Sequence, residues 1–406
     1  MNMNRRHFSK ALILGGIGLS VQNARANIRA EIQQRRLWKM DGIAFDNTFS
    51  GARLSELLRL GEGRYLAISR PENRPINPSP WYGFSIQSEK ARTIELTIRA
   101  DSSNDAGEPL RASRPWLSTD CEHFEQLPEA AWSKAGIDNT AQIDVPAGKI
   151  FVFAFKPVFL EKFNGWMDGI EKLPFVKAAT IGMSLEGRPL RQFTISETEA
   201  KRFVAVLGGQ HPPEHTGNFA LTHFVEEICL DSELAKKFRK TFRTVVIPMI
   251  NPDGKHHGHW RSTLGARDPN RDWYDQSQPE VAATAEFLSD LMKKESLKPY
   301  FGVDYHSTNR DFFYIEPADT KTNPEGFTQQ WFGMIEKELG GVKVEFDAGL
   351  PLASSGSSWM REKLMCPAYT REFRYIQEEK EIAAKSRAEA RMMMQLLLTQ
   401  LGENGQ

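Results

Sequence analysis

Between Leu37 and Leu160 the apolar positions fall in short bursts, many of them at every second residue. Thr93-Ile-Glu-Leu-Thr-Ile-Arg99 alternates apolar and polar, the period of a strand with one buried face. Lys149-Ile-Phe-Val-Phe-Ala-Phe155 predicts a second strong strand, and the turn-rich segments 101–107 and 145–148 read as loops. The region is expected to be an antiparallel β-sandwich. No catalytic constellation falls in it, so its expected role is to support or shape access to a site elsewhere.

After a connecting stretch at roughly 161–177 the pattern changes to strands alternating with helices. Arg202–Leu207, Arg243–Ile250 and Phe301–Tyr305 predict buried strands, and the segment before Glu372 suits a fourth. Helices are expected from about Gly217 to Leu230 and from Pro279 to Lys294, where Pro279 fits the first turn and Glu280 favours the positive helix end. The tail from Lys380 to about Leu401 has the spacing of a long amphipathic helix, with Met392–Met394 and Leu396–Leu398 expected in a core. The fold class is therefore α/β, a mixed sheet flanked by helices and preceded by the β-sandwich, with its chemistry at the carboxyl ends of the strands.

Composition narrows the partners. Lys+Arg and Asp+Glu both total 52, so net charge gives no argument for nucleic acid. The three cysteines, Cys121, Cys229 and Cys366, are too few and scattered for a disulfide framework or a thiolate metal site, and are expected to be mostly buried thiols. Arg5-Arg6-His7-Phe8-Ser9-Lys10, the apolar stretch Ala11–Val21 and Ala24-Arg25-Ala26 follow the order of a twin-arginine signal peptide with its cleavage site. Residues 1–26 are thus expected to direct export to the periplasm. The apolar run is too short for stable membrane insertion.

The chemistry gathers downstream. His211-Pro-Pro-Glu214 follows a strand and a Gly-Gly turn, and its prolines present both side chains from a stiff loop rather than a helix. His306 directly follows another buried strand. Two imidazoles and a carboxylate leave one position open on a metal ion, the condition for hydrolytic zinc. His256, His257 and His259 form a second cluster, expected to be solvated rather than metal-binding.

These segments, in this order, resemble the zinc metallocarboxypeptidases of the carboxypeptidase A type. The resemblance is strongest to the cytosolic-carboxypeptidase-like branch, which carries an N-terminal β-sandwich. It rests on Ile181–Arg188, His211–Glu214, Asn251-Pro-Asp-Gly254, Trp260-Arg261, Asp268–Trp273, Asp304-Tyr-His306 and Thr370-Arg-Glu372. It implies a β-sandwich domain over 35–165 and a catalytic domain over 176–406. It further implies that His211, Glu214 and His306 hold one Zn²⁺, with Glu372 as general base. Arg261 would stabilise the oxyanion, and Asn270 and Arg271 would grip the terminal carboxylate of a peptide substrate. Asn251–Gly254 is a turn and is given no catalytic role.

The sequence departs from the family in places. The mobile tyrosine expected near Leu350–Ala353 is missing, leaving Tyr314, Tyr369 and Tyr375 as stand-ins. Pro213 replaces a glycine, and Asp272 replaces an asparagine beside Arg271. The serines of Ala353–Trp359 indicate neither a greasy side-chain pocket nor a charged one. Two other functions fit parts of the pattern: a zinc deacylase similar to succinylglutamate desuccinylase, and a peptide-binding module that has lost turnover.

Overall fold

The structure is a computed structural model describing residues 29–74, 80–103, 107–317, 320, 323–348 and 354–403. The signal peptide expected over 1–26 and the expected tyrosine position at Leu350–Ala353 lie outside the described residues.

Among the described residues, eleven strands build two N-terminal sheets. One runs Leu37–Met40, Ile43–Asp46, Gly83–Ser88, Gly148–Phe153, Trp116–Ser118, Glu125–Gln126. The other runs Glu56–Gly61, Arg64–Ser69, Arg92–Ala100, Asp138–Val145, Trp132–Ala135. Neighbours are antiparallel, apart from the parallel pair Arg64–Ser69 with Arg92–Ala100. The period-two pattern does what it predicts: Ile94, Leu96 and Ile98 are buried, while Thr93, Glu95 and Thr97 are not. Together with Phe45, Phe84, Ile86, Ile143 and Val152 they form one core. Trp260, from the far end of the chain, is fully buried in that same core.

The stretch at 161–177 is more than a connector. A helix spans Leu160–Glu171 and buries Leu160, Phe163, Met167 and Ile170 on one face. That spacing is helical, but Gly165 and Gly169 dilute it, since each glycine weakens a helix by roughly 1 kcal/mol.

Among the described residues, the C-terminal half is built on eight strands in the order Val176–Met183, Pro189–Ile195, Arg243–Ile247, Arg202–Gly208, Lys298–Thr308, Ala368–Arg374, Phe312–Ile315, Phe346–Ala348. The central four run parallel, and the flanking pairs include antiparallel ones. Helices cover both faces. His215–Cys229 and Glu379–Glu403 pack on one side, Pro279–Lys293 and Gly356–Leu364 on the other. Burial on both faces explains the unbroken apolar run Phe203–Leu207. Because the central strands are parallel, their carboxyl ends lie side by side. His306 and Glu372 are direct register partners on neighbouring strands.

Candidate metal centre

The metal loop begins where the strand Arg202–Gly208 stops. Gly209 turns the chain at φ +67°, and a Cβ there would sit 2.8 Å from the Met249 backbone, so only glycine fits. His211, Pro212, Pro213 and Glu214 follow, and Glu214 is the residue preceding the helix His215–Cys229. Gly217 in its first turn lets that helix approach the strand of His306: a Cβ would come within 2.6 Å of the His306 carbonyl oxygen. The loop bearing His211 and Glu214 is thereby brought against His306, 92 residues beyond Glu214.

Nδ1 of His211 lies 2.8 Å from Oε1 of Glu214, and Nδ1 of His306 lies 2.7 Å from Oε2. The two Nδ1 atoms are 3.1 Å apart. All three side chains are buried. The outer nitrogens each meet a carboxylate: His211 Nε2 is 2.9 Å from Asp268, and His306 Nε2 is 2.9 Å from Asp304. These partners place a proton on each Nε2 and leave both Nδ1 lone pairs facing inward. Two inward lone pairs and a carboxylate within hydrogen-bond range repel one another unless a cation sits among them. Edges of about 3 Å are those of a tetrahedral zinc site with bonds of about 2.0 Å. His211, Glu214 and His306 therefore form one zinc site. Burial opposes charge on Glu214 and His306, yet the His211 and His306 imidazoles hold Glu214 well below the usual carboxylate range, and Asp304 and Glu214 push His306 up.

Arg261 reaches the same place. Its Nε donates to Asp268 at 2.6 Å, and Nη1 lies 3.8 Å from Glu214. Burial works against its charge, but Asp268 and Glu214 more than restore it. Glu372 is half-buried, and its Oε2, shielded from solvent, has no hydrogen-bond partner among the described residues. Burial, then the Glu214 charge, push its carboxyl up to about 8, against the pull of His306 and Arg261. Arg271 is half-buried; its Nη1 donates to the Asn270 carbonyl at 2.8 Å, and Asp268 and Glu372 lie within its electrostatic reach. It pairs with neither Asp268 nor Asp272 by hydrogen bond among the described contacts. Asn270 Oδ1 accepts from the Gly356 N–H at 2.8 Å, tying this residue to the start of the helix Gly356–Leu364. Arg261, Asn270 and Glu372 thus stand around the two histidines and Glu214, with Arg271 next in the chain to Asn270.

Of the three tyrosines, Tyr369 is buried and shares a hydrogen bond with Thr328, while Tyr375 stacks on Phe155 at 4.6 Å. Tyr314 borders the charged groups of the site: burial and then the Glu372 carboxylate raise its phenol, and Arg310 and Arg271 lower it, while Tyr375 lies within electrostatic reach of Arg261.

The histidine cluster is not solvated. His259 is fully buried and His257 nearly so, and His256 Nε2 lies 3.0 Å from Arg35. The N-terminal sheets cover this segment, which the sequence does not reveal. Asn251–Gly254 caps the short helix Pro252–His257, and the Asn251 amide holds the carbonyls of Gln210 and Ser262 at 3.1 Å. It is structural, as its residue types imply. The cysteines are free thiols, Cys366 buried and the others half-buried.

Sequence reasoning missed the supports. Asp268 and Asp304 were visible only as parts of motifs, and Gln210 not at all. Gln210 donates to Asp304 at 2.6 Å and accepts from the Trp273 indole at 3.0 Å. Positions 304 and 306 lie on one side of a strand, so Asp304 was the one support that spacing signals.

Comparison with known proteins agrees with this geometry. The zinc carboxypeptidase family, peptidase M14, matches residues 163–330. Cytosolic carboxypeptidase 3 of Bos taurus is 23% identical over 306 residues, covering 67% of this chain and 30% of that protein. Cytosolic carboxypeptidase 6 of Caenorhabditis elegans is 24% identical over 362 residues, covering 81% of this chain and 78% of its own length. Cytosolic carboxypeptidase 2 of Homo sapiens is 30% identical over 302 residues, covering 67% and 34%. The chain thus spans about a third of the length of several relatives it matches. In fold it is similar to a metallo-carboxypeptidase from Burkholderia cenocepacia, with a TM-score of 0.70, 16% identity and coverage of 88% of this chain and 99% of that one. A metallo-carboxypeptidase from Pseudomonas aeruginosa superposes with a TM-score of 0.71 at 15% identity, covering 87% and 98%.

Proposed function

Because the chain belongs to the peptidase M14 zinc carboxypeptidases and is distantly homologous to the cytosolic carboxypeptidases, we propose that it hydrolyses the last amide bond of a peptide with a free C-terminus. The observation that carries this reading is the Glu372 carboxylate, with one buried and unpartnered oxygen, on the strand next to the ligand His306.

Bound zinc would polarise the scissile carbonyl and lower the pKa of a water to about 7. Glu372 takes the proton that this nucleophile loses and returns it to the leaving amine nitrogen. Its raised proton affinity suits that transfer better than an ordinary carboxylate would. Arg261, braced at Nε by Asp268, offers its terminal nitrogens to the carbonyl oxygen as negative charge develops there. Arg271, with Asn270 beside it, receives the substrate's terminal carboxylate through parallel hydrogen bonds. A neutral C-terminus would lose that anchor.

The twin-arginine pattern of residues 1–26 favours action after export, in the periplasm, where stem peptides of the cell wall and ordinary peptides are both available. Among the described residues no helix is long and apolar enough to cross a membrane.

An assay on paired peptides with free and amidated C-termini tests the proposal, together with mass spectrometry of the released residue. Release of a single C-terminal residue from the free form only is expected. Equal cleavage of both forms contradicts the carboxypeptidase. Activity confined to N-acyl amino acids would favour a deacylase, and binding of zinc and peptide without turnover a binding module.

A further inference from the structure

The loop that carries Arg261 is held from outside its own half of the molecule. Three successive backbone N–H groups, those of Trp260, Arg261 and Ser262, donate to one carboxylate, that of Glu72 in the N-terminal half. The first two distances are 2.7 and 3.0 Å. Glu72 is buried, and its own carbonyl accepts from the Glu31 N–H at 2.7 Å. The Trp260 side chain sits in the N-terminal core, where its indole N–H donates to Ser69 at 3.3 Å. On its other side the same segment is tied to the catalytic half: the Ser262 carbonyl accepts from Asn251 at 3.1 Å and lies 2.9 Å from His259 Nδ1.

A backbone clamped on both sides cannot rotate about the peptide units flanking residue 261. The guanidinium that leaves this backbone reaches within 3.8 Å of Glu214. We propose that Glu72 is a positioning residue for catalysis: by gathering the N–H groups of 260–262 it sets where the Arg261 guanidinium meets the substrate's carbonyl oxygen. A loop of the N-terminal half, just beyond the strand Arg64–Ser69, thereby contributes a working part of the active site from 188 residues before Trp260 in sequence.

The chemistry suits the task. A carboxylate accepting several N–H bonds stays ionised despite burial, and His259 and Arg53 beside it add to that; its carboxyl is held below the ordinary range even though burial alone would raise it. A neutral or shorter side chain would let the loop relax. Relaxation acts first on Arg261, because the metal ligands stand on other elements and His211 keeps its own bond to Asp268. The cost should therefore fall on transition-state stabilisation, which lowers kcat, and not on ground-state binding, which sets KM.

This inference rests on reading Arg261 as the oxyanion donor. The test is a double-mutant cycle on the zinc-loaded, full chain with Glu72→Gln and Arg261→Ala. The probe is a mixture of N-acetylated tripeptides with free C-termini, followed by zinc content and thermal melting. Glu72→Gln is expected to lower kcat by roughly 10–100-fold, with KM nearly unchanged, zinc retained, and no further loss when added to Arg261→Ala. Glu72→Asp, which keeps the charge but withdraws it by one methylene, is expected to lie between the two and serves if the glutamine variant does not fold. A loss of equal size with and without Arg261, or no loss in either Glu72 variant, overturns the proposal. If Arg261→Ala itself leaves kcat unchanged, the reading of Arg261 is what fails, and the role of Glu72 goes with it.

Discussion

Asp268 stands directly behind His211, its Oδ1 2.9 Å from the ligand's outer nitrogen. The other oxygen, Oδ2, takes the Nε of Arg261 at 2.6 Å. One carboxylate thus orients a metal ligand and the cation expected to stabilise the oxyanion. Burial would neutralise it, but Arg261 and His211 hold it well below the usual carboxylate range. Asp268→Asn keeps the shape and removes the charge. It should weaken zinc binding by about 10–100-fold and lower kcat further at saturating zinc. Titration with a competing chelator, followed by kinetics with added zinc, separates the two effects.

Glu372 offers a cleaner division between binding and chemistry. Glu372→Gln is expected to retain one zinc per chain while kcat falls by roughly 10²–10⁴-fold. Elemental analysis beside steady-state kinetics checks it. Loss of zinc in this variant would make Glu372 a ligand rather than a base.

Arg271 should matter for substrates with a charged C-terminus and for no others. Arg271→Met is expected to reduce kcat/KM by roughly 10–100-fold on peptides with a free terminus, mostly through KM. Binding of the amidated forms, measured by competition, should be unchanged. A rise in KM for both classes would place Arg271 elsewhere in recognition.

Away from the cleft, Glu280 gives a stability prediction with a definite sign. Its side chain is fully buried, Oε2 has no partner, and burial followed by repulsion from Asp253 and Asp272 lifts its carboxyl to about 7. Between the ordinary carboxylate value near 4.5 and about 7 the folded chain holds a proton that the unfolded chain does not. The stability this lends is complete below the unfolded value and is lost as pH rises through about 7. Glu280→Gln mimics the protonated form. It should melt a few degrees higher than the parent chain at pH 8, roughly 2–6 °C, with the gap closing toward pH 4.5. Melting curves across that range decide it; a lower melting point at pH 8 would show that the carboxylate has a partner in the folded state.

Much of this was legible from the chain. Strands at Arg202–Leu207 and Phe301–Tyr305 announce themselves because burial on both faces demands continuous apolar runs. His211, Glu214, His306 and Glu372 are recognisable because a hydrolytic metal site needs few residue types in a fixed order along adjacent parallel strands. What failed to show was whatever depends on contacts between distant segments. Nothing local marks Glu72 as the acceptor for the backbone of 260–262, and nothing marks His259 as buried beneath the N-terminal sheets. Trp260 reads as part of an active-site segment, yet its ring completes the core of the other half. The helix Leu160–Glu171 was lost for a local reason, two glycines within its pattern.

The central claim is a single zinc ion among Nδ1 of His211, Nδ1 of His306 and the carboxylate of Glu214. Anomalous diffraction at the zinc edge, on crystals of the zinc-loaded protein, tests it most directly. One strong peak about 2.0 Å from those three groups, opposite the Glu372 carboxylate, is the expected result. A peak at the His256–His259 segment instead, or none in the cleft at full zinc loading, would contradict the account.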